Sequence, residues 1–338
     1  MQLLRRVSEI WKSDPAHLHA DGEKLLAAVR EEEPLAEESA DADWETALQV
    51  YVSHFQHHFD EKNGGFGGAP KFPQTMNLQL MMRQDFKTGL NQAEAIVTST
   101  LSHMLRGGIY DQLKGGFHRY AVDERWLVPH FEKMLYDQAM ISATLTEASQ
   151  MYGDAEMARV ARETLEYVRR EMTSAEGGFF SAEDADSVNP ASGHGEEGFF
   201  ATYTFDEIKS LVTEEEFDLM KRAYGVTPQG DFEGRIILNL QEGYDGSVKK
   251  ELAAALAKLL KFRATKPAPH LDDKVISAWN GWMIASFAKG ARAFGDASFL
   301  AAAERALEVI KSKMWKDGQL CRFRRDGENR GRGTAEDY

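Results

Sequence analysis

The stretch MYGDAEMARVARETLEYVRREM (151–172) returns in altered form as AFGDASFLAAAERALEVIKSKM (293–314). Gly153-Asp154-Ala155 recurs as Gly295-Asp296-Ala297, Leu165-Glu166 as Leu307-Glu308, and Met172 as Met314. Upstream, AMISA (139–143) matches WMIAS (282–286) after a one-residue slip, which sets Asn280 opposite Asp137. Apolar residues at three- and four-residue spacing on either side of the Gly-Asp step predict a long helix, a tight turn and a second helix. So short a connection makes the two helices antiparallel, and the repeated unit is a helical hairpin. A hairpin that buries one face needs a neighbour, and hairpins stacked in a ring give an all-α architecture, the α/α toroid. An open solenoid is the other arrangement, but solenoid repeats rarely carry glycine-aromatic polar loops as large as those found here.

Those loops recur. Helix ends run into DEKNGGFGGAPKFP (60–73), LRGGIYDQLKGGFHRY (105–120), SAEGGFF (174–180) and, more loosely, WKDGQLCRF (315–323). Paired glycines supply the positive φ that stops a helix, and an aromatic residue then anchors the returning chain. The periodicity predicts helices near 44–60, 74–85, 91–106, 130–152, 155–173, 205–224, 247–263, 274–294 and 297–315, about four hairpins with one helix over. Residues 1–33 read as two short helices, and 34–43, acidic and broken by Pro34, as a linker to a toroid over 44–338. Residues 181–245 interrupt the pattern with loop and short strand, an insertion long enough to suggest function.

Composition narrows the partners. Of 338 residues 43% are hydrophobic, and the net charge is -14 with the basic residues dispersed, which disfavours nucleic acid and anionic membrane surfaces. Cys321 is the only cysteine, so neither an intrachain disulfide nor a CxxC pair exists. No secretory leader or membrane-length apolar run is visible, and a cytoplasmic location is the expectation.

The polar constellations follow from the loops. WLVPHFEKMLYDQAM (126–140) places His130, Glu132, Lys133, Tyr136 and Asp137 in what reads as the first turns of a helix, with Pro129 at its first position. Lys133–Asp137 is an i, i+4 ion pair on the plain reading. The second copy, LDDKVISAWNGWM (271–283), is again polar at its start, with Asp272, Asp273, Lys274 and Asn280, and its Trp279 and Trp282 suit sugar rings as well as a core. SAEDADS (181–187) carries Glu183, Asp184 and Asp186, three acids that either include a catalytic carboxylate pair or form a solvated acidic loop; it lacks the twelve-residue calcium loop of an EF-hand. FHRY adds His118, Arg119 and Tyr120, and GGAPKFP adds Lys71 without the spacing of a phosphate-binding loop. His54 and His58 lie one turn apart, but no third zinc ligand accompanies them, so no metal is expected. No GxSxG nucleophile elbow occurs.

Taken together, GGFGGAPKFP, GGIYDQLKGGFHRYAVDERWLVPHFEKMLYDQA, GGFFSAEDADS, GDFEG and DDKVISAWNG resemble the signature blocks of thioredoxin-domain-containing proteins of the spermatogenesis-associated protein 20 type, in order from about residue 44 onward. The resemblance implies a toroid similar to those of N-acylglucosamine 2-epimerases, cellobiose epimerases and six-hairpin glycosidases. It also implies an upstream thioredoxin-like partner domain, of which residues 1–33 would be the helical remnant, so that the chain is expected to be a fragment with an incomplete ring. Polar loops converging with aromatics on one end of the ring, as the epimerase-like fold implied by the resemblance would place them, suggest a sugar epimerase or isomerase-like site, with His118, His130, Asp137, Asp184 and Asp186 as catalytic candidates, the last two positioning hydroxyls. Lys71, Arg119, Tyr120, Glu132, Lys133, Asp272, Asp273, Lys274, Trp279 and Asn280 are the candidates for holding substrate, and no cofactor is called for. A glycosidase-like activity and a non-catalytic scaffold beside a redox domain are the alternatives.

Overall fold

The computed structural model describes residues 2–32, 43–89, 91 and 93–338; apart from Asp43, the acidic segment expected as a linker lies outside the described residues. The chain divides into two compact units, Met1–Ser53 and His54–Tyr338. In the first, α1 (Gln2–Ser13) and α2 (Pro15–Glu32) form a pair, with Trp11 against His19 at 5.5 Å, and α3 (Trp44–His58) begins.

The second unit is built from α4 (Thr75–Thr88), α5 (Glu94–Arg106), α6 (Leu135–Tyr152) and α7 (Ala155–Glu171), then α8 (Phe205–Leu211), α9 (Glu214–Tyr224), α10 (Val248–Glu251) and α11 (Ala253–Arg263), and last α12 (Ser277–Phe294) and α13 (Ala297–Val309). Both Gly-Asp turns fold as the repeat requires. Gly153 and Gly295 take left-handed conformations at φ 71° and 66°, closing α6 and α12, while Asp154 and Asp296 cap α7 and α13 by accepting from Met157 N and Ser298 N at 2.9 Å each. Helices α4, α6 and α12 lie side by side as an inner layer, with α5, α7 and α13 behind them. This is the hairpin arrangement of the α/α toroid, here an arc. Leu78, Leu101, Ile141 and Val160 fill one core between the layers, and Leu165, Met283, Phe287 and Phe299 the next. Burying each such side chain stabilises the fold by roughly 1.5–3 kcal/mol.

The expected helix over 205–224 is two helices. Thr204 and Thr213 each build a capping box, with Glu207 and Glu216, so α9 starts afresh after a break of two residues. Together with α11 these helices surround a core of their own, around Tyr203, Ile208, Phe217 and Leu259, beside the insertion. The expected helix over 297–315 ends in a wider turn at Ile310–Met314.

A larger correction concerns the polar starts of the inner helices. Residues 130–134 are not helical: α6 begins only at Leu135. Before it, β1 (Tyr120–Ala121) pairs with β2 (Pro129–His130), and β3 (Lys133–Met134) pairs with β4 (Ala182–Glu183). The insertion adds β5 (Asp186–Val188) against β6 (Gly195–Glu197); β7 (Leu271–Asp272) then joins β4. β8 (Val275–Ile276) precedes α12, and β9 (Trp315–Lys316), β10 (Gln319–Arg325) and β11 (Glu328–Arg332) form a terminal sheet that takes in β8. The chain entering each inner helix is thus extended and hydrogen-bonded to its neighbours. His130 and Lys133 therefore lie outside the helix that carries Asp137, and Lys133–Asp137 is not an i, i+4 pair on one helical face. Among the described residues no helix is long and apolar enough to cross a membrane.

Candidate functional site

The glycine loops set the positions of the side chains around the inner-helix starts. In Asp60–Phe66 and Asp111–Phe117 the spacing D-x-x-x-G-G-F folds identically. The second glycine's carbonyl accepts from the Asp N–H (2.9 and 3.0 Å), and the first glycine's N–H returns to the Asp carbonyl (2.8 and 2.9 Å). Gly116 shows why glycine is needed: its φ is +78°, and a Cβ there would lie 2.5 Å from the Tyr167 ring.

A buried lysine pins each loop. Lys71 Nζ donates to Asp60 Oδ2 at 2.6 Å and to the Gly64 carbonyl at 2.7 Å; Lys133 Nζ donates to Asp111 Oδ2 at 2.9 Å and to the Gly115 carbonyl at 3.0 Å. Both lysines are 1% exposed. Burial disfavours the Asp60 anion, but hydrogen bonds from Lys71 and Asn63 overcome this and hold its carboxyl well below the usual range. The Asp111 carboxylate likewise stays charged despite burial, because Arg263 (3.0 and 2.8 Å) and Lys133 flank it. His118 sits beside this network with Nδ1 donating to the Phe131 carbonyl at 2.8 Å; burial, reinforced by Lys133, pushes its imidazole down to about 3.

Amide side chains hold the loops from the helix side. Gln138 accepts from Phe117 N (2.7 Å) and donates to Phe117 O (2.7 Å); Asn280 does the same to Phe179 N (2.8 Å) and O (3.0 Å). Gln138, not Asp137, is therefore the counterpart of Asn280. The one-residue slip used to align the repeats is absent at these helix starts, because each amide is the fourth residue of its helix.

What remains facing the concave side is a pocket of about 410 Å³ at the N-terminal ends of α4, α6 and α12, lined by Gln74, Asn77, Tyr136, Asp137, Met140 and Trp282 among others. Asp137 is partly exposed as a residue, yet its Oδ2 is shielded from solvent and has no hydrogen-bond partner. Burial pushes its carboxyl well above the usual range; the Arg119 cation opposes that rise and Glu132 adds to it. Tyr136 meets Trp279 edge-on at 4.9 Å. From Tyr136 a polar chain runs along the rim: Tyr136 to Arg119, Arg119 to Glu132 (2.9 Å), Glu132 to His130 Nε2 (3.7 Å), and His130 Nδ1 to Glu197 Oε1 (2.6 Å). Tyr120 stacks on Phe72 at 4.6 Å beside the His130 ring.

The structure thus brings His130, Asp137, Arg119, Tyr120, Glu132 and Trp279 to one rim. It buries Lys71, Lys133, His118 and Asn280 in loop anchoring. Asp184 and Asp186 are exposed, with Asp184 Oδ1 accepting from the Asp186 amide at 3.1 Å; Asp272 pairs with Lys274 at 2.9 Å and Asp273 with Arg325 at 2.7 Å. The His54 and His58 rings lie 4.2 Å apart, tilted by 32°, and among the described residues no three His, Cys, Asp or Glu side chains converge as metal ligands would. Sequence reading passed over Gln74, Asn77, Phe72 and Glu197. No local spacing connects Glu197, in the insertion, to His130.

No protein-family model matches the chain. Spermatogenesis-associated protein 20 from Mus musculus is 31% identical over 357 residues and that from Homo sapiens 30%, each match covering 95% of this chain. The chain spans about half the length of these relatives, 45%. Among solved structures, a sugar epimerase from a ruminal bacterium is 17% identical, with a TM-score of 0.37 over 82% of this chain and 89% of that one. Along nearly all of its own length, the chain is a homologue of spermatogenesis-associated protein 20.

Proposed function

We propose that the unit His54–Tyr338 binds a carbohydrate in the pocket at the inner-helix starts and moves a proton on it, as a sugar epimerase or isomerase does. The observation that carries this reading is Asp137: a carboxyl group that burial pushes well above the usual range, its Oδ2 shielded and without a hydrogen-bond partner, in the wall of a pocket that also holds the amides of Gln74 and Asn77 and the Trp282 ring. Aromatic faces cover the apolar side of a sugar ring, and the amides of Gln74 and Asn77 pair with hydroxyls. Asp137 would donate its proton to a substrate oxygen, while His130, oriented through Nδ1 by Glu197, would serve as the base through Nε2. Arg119, Glu132 and Tyr120 position substrate between them, and Trp279 backs Tyr136. A scaffold role would give no reason for a shielded acid at this place. In the longer relatives, residues 1–33 and the acidic stretch after them would connect the toroid to the thioredoxin-like domain that the family resemblance implies.

The test is nuclear magnetic resonance in deuterated water with mannose, glucose and cellobiose. Proton removal next to the carbonyl carbon places deuterium at C2, and Asp137→Asn or His130→Asn abolishes that exchange while the sugar still binds. Absence of both binding and exchange overturns the reading.

A further inference from the structure

The charge around the pocket goes further than its shape. Among the described residues its wall holds no cation: Gln74, Thr75, Asn77, Tyr136 and Trp282 are uncharged, and Asp137 is the sole ionisable acid. Four cations near the rim each face a carboxylate. Arg119 faces Glu132 at 2.9 Å, Lys274 faces Asp272 at 2.9 Å, and Lys71 and Lys133 are buried against Asp60 and Asp111. We infer that this pocket accepts uncharged or amino-bearing sugars and rejects uronates and sugar phosphates, an inference that rests on the sugar site proposed above.

Unmatched charge is what would exclude an anion. A carboxylate or phosphate drawn into the pocket loses water and finds only neutral donors, whereas hydroxyls, which both donate and accept, meet the amides of Gln74 and Asn77, themselves joined by Asn77 Nδ2 donating to Gln74 Oε1 at 2.6 Å. An anion reaching Arg119 would compete with Glu132 and Tyr136 for that cation, and the Glu132 carboxylate, close enough to act on Asp137, would repel it. An ammonium meets the opposite situation: beside Asp137 it favours the ionised carboxyl, and Oδ2, which has no hydrogen-bond partner, can then accept from it.

Calorimetric titration of the 338-residue chain with matched pairs tests this: cellobiose against cellobiouronic acid, N-acetylglucosamine against its 6-phosphate, and glucose against glucosamine. The uncharged member of each of the first two pairs should bind at least about tenfold tighter, and glucosamine at least as well as glucose. Glu132→Gln releases Arg119, and Asn77→Lys puts a cation in the wall; either should narrow the gap between anionic and neutral sugars by about tenfold. Anionic sugars binding as well as neutral ones, or both variants leaving the gap unchanged, overturns the inference while leaving a sugar site in place. No sugar of any charge binding overturns the site itself and this inference with it.

Discussion

Replacing Lys133 by Met tests whether the buried lysines are structural pins. Met keeps most of the apolar stem and removes only the ammonium. Three interactions go: the hydrogen bond to Asp111 Oδ2 at 2.9 Å, that to the Gly115 carbonyl at 3.0 Å, and the approach to the Tyr167 ring at 4.4 Å. Breaking a buried ion pair by deleting one partner costs about 3–5 kcal/mol, because the other charge is stranded. Here Arg263 still faces both Asp111 oxygens, at 3.0 and 2.8 Å, so the loss falls at the low end, about 3 kcal/mol. The equivalent Lys71→Met should lose less, about 1–2 kcal/mol, since the Asp60 side chain is 19% exposed and water can take over part of its solvation. Urea unfolding followed by tryptophan fluorescence reads the difference. With a slope of about 3 kcal/mol per molar, Lys133→Met should shift the midpoint by about 1 M. Sugar affinity of the folded variant should stay as in the parent chain. A midpoint unchanged within about 0.2 M, or a larger loss from Lys71→Met than from Lys133→Met, would refute the pin.

Three further outcomes follow from the same geometry. Asp137 has its carboxyl raised in the folded state, so between the ordinary carboxylate range and that raised value the folded chain holds a proton that the unfolded chain has lost, and stability falls as pH rises. Asp137→Asn should therefore raise the melting temperature at neutral pH and lose that gain toward pH 3, as melting curves of the two proteins across pH would show. Lys266, whose ammonium donates to the Phe199 and Thr202 carbonyls among three aromatic rings, is pushed down to about 7 by burial. Between pH 7 and the ordinary lysine range the unfolded chain binds the extra proton, so Lys266 adds a rise in stability with pH that Lys266→Met should remove; parallel urea titrations at pH 7 and 9.5 measure it. Asn280→Ala strands both polar groups of Phe179 and should lower stability by about 2–3 kcal/mol, with faster exchange of the Phe179 amide proton; unchanged exchange would show that the clamp is not needed.

The hairpins were legible because a Gly-Asp step between two periodic segments carries its own structural instruction: a left-handed stop and an N-cap. The Gly-Gly-Phe loops were legible for the same reason. The starts of the inner helices were not. Pro129 and the apolar residues after Lys133 fit a helix locally, yet residues 129–134 pair with partners at 120–121 and 182–183, and no short-range pattern reveals such pairing. The break between α8 and α9 was readable, since TFDE and TEEE both match the capping-box spacing. The sequence pattern put rim residues, loop-anchoring residues and the exposed Asp184 and Asp186 into one candidate set without separating them. A lysine beside a glycine loop looks the same in sequence whether it reaches outward or is drawn inward by an aspartate more than ten positions away, as Lys71 is by Asp60.

Gln138 and Asn280 grip the loops by peptide atoms, and so do Lys71 and Lys133 through the Gly64 and Gly115 carbonyls. A loop fastened through its main chain is indifferent to most of the side chains it displays. Arg119 and Tyr120, just beyond one such fastening, are thus free to be exchanged for other residues while the path of the chain beneath them stays fixed. The framework supplies a mounting on which different chemistries can be set without rebuilding the helices.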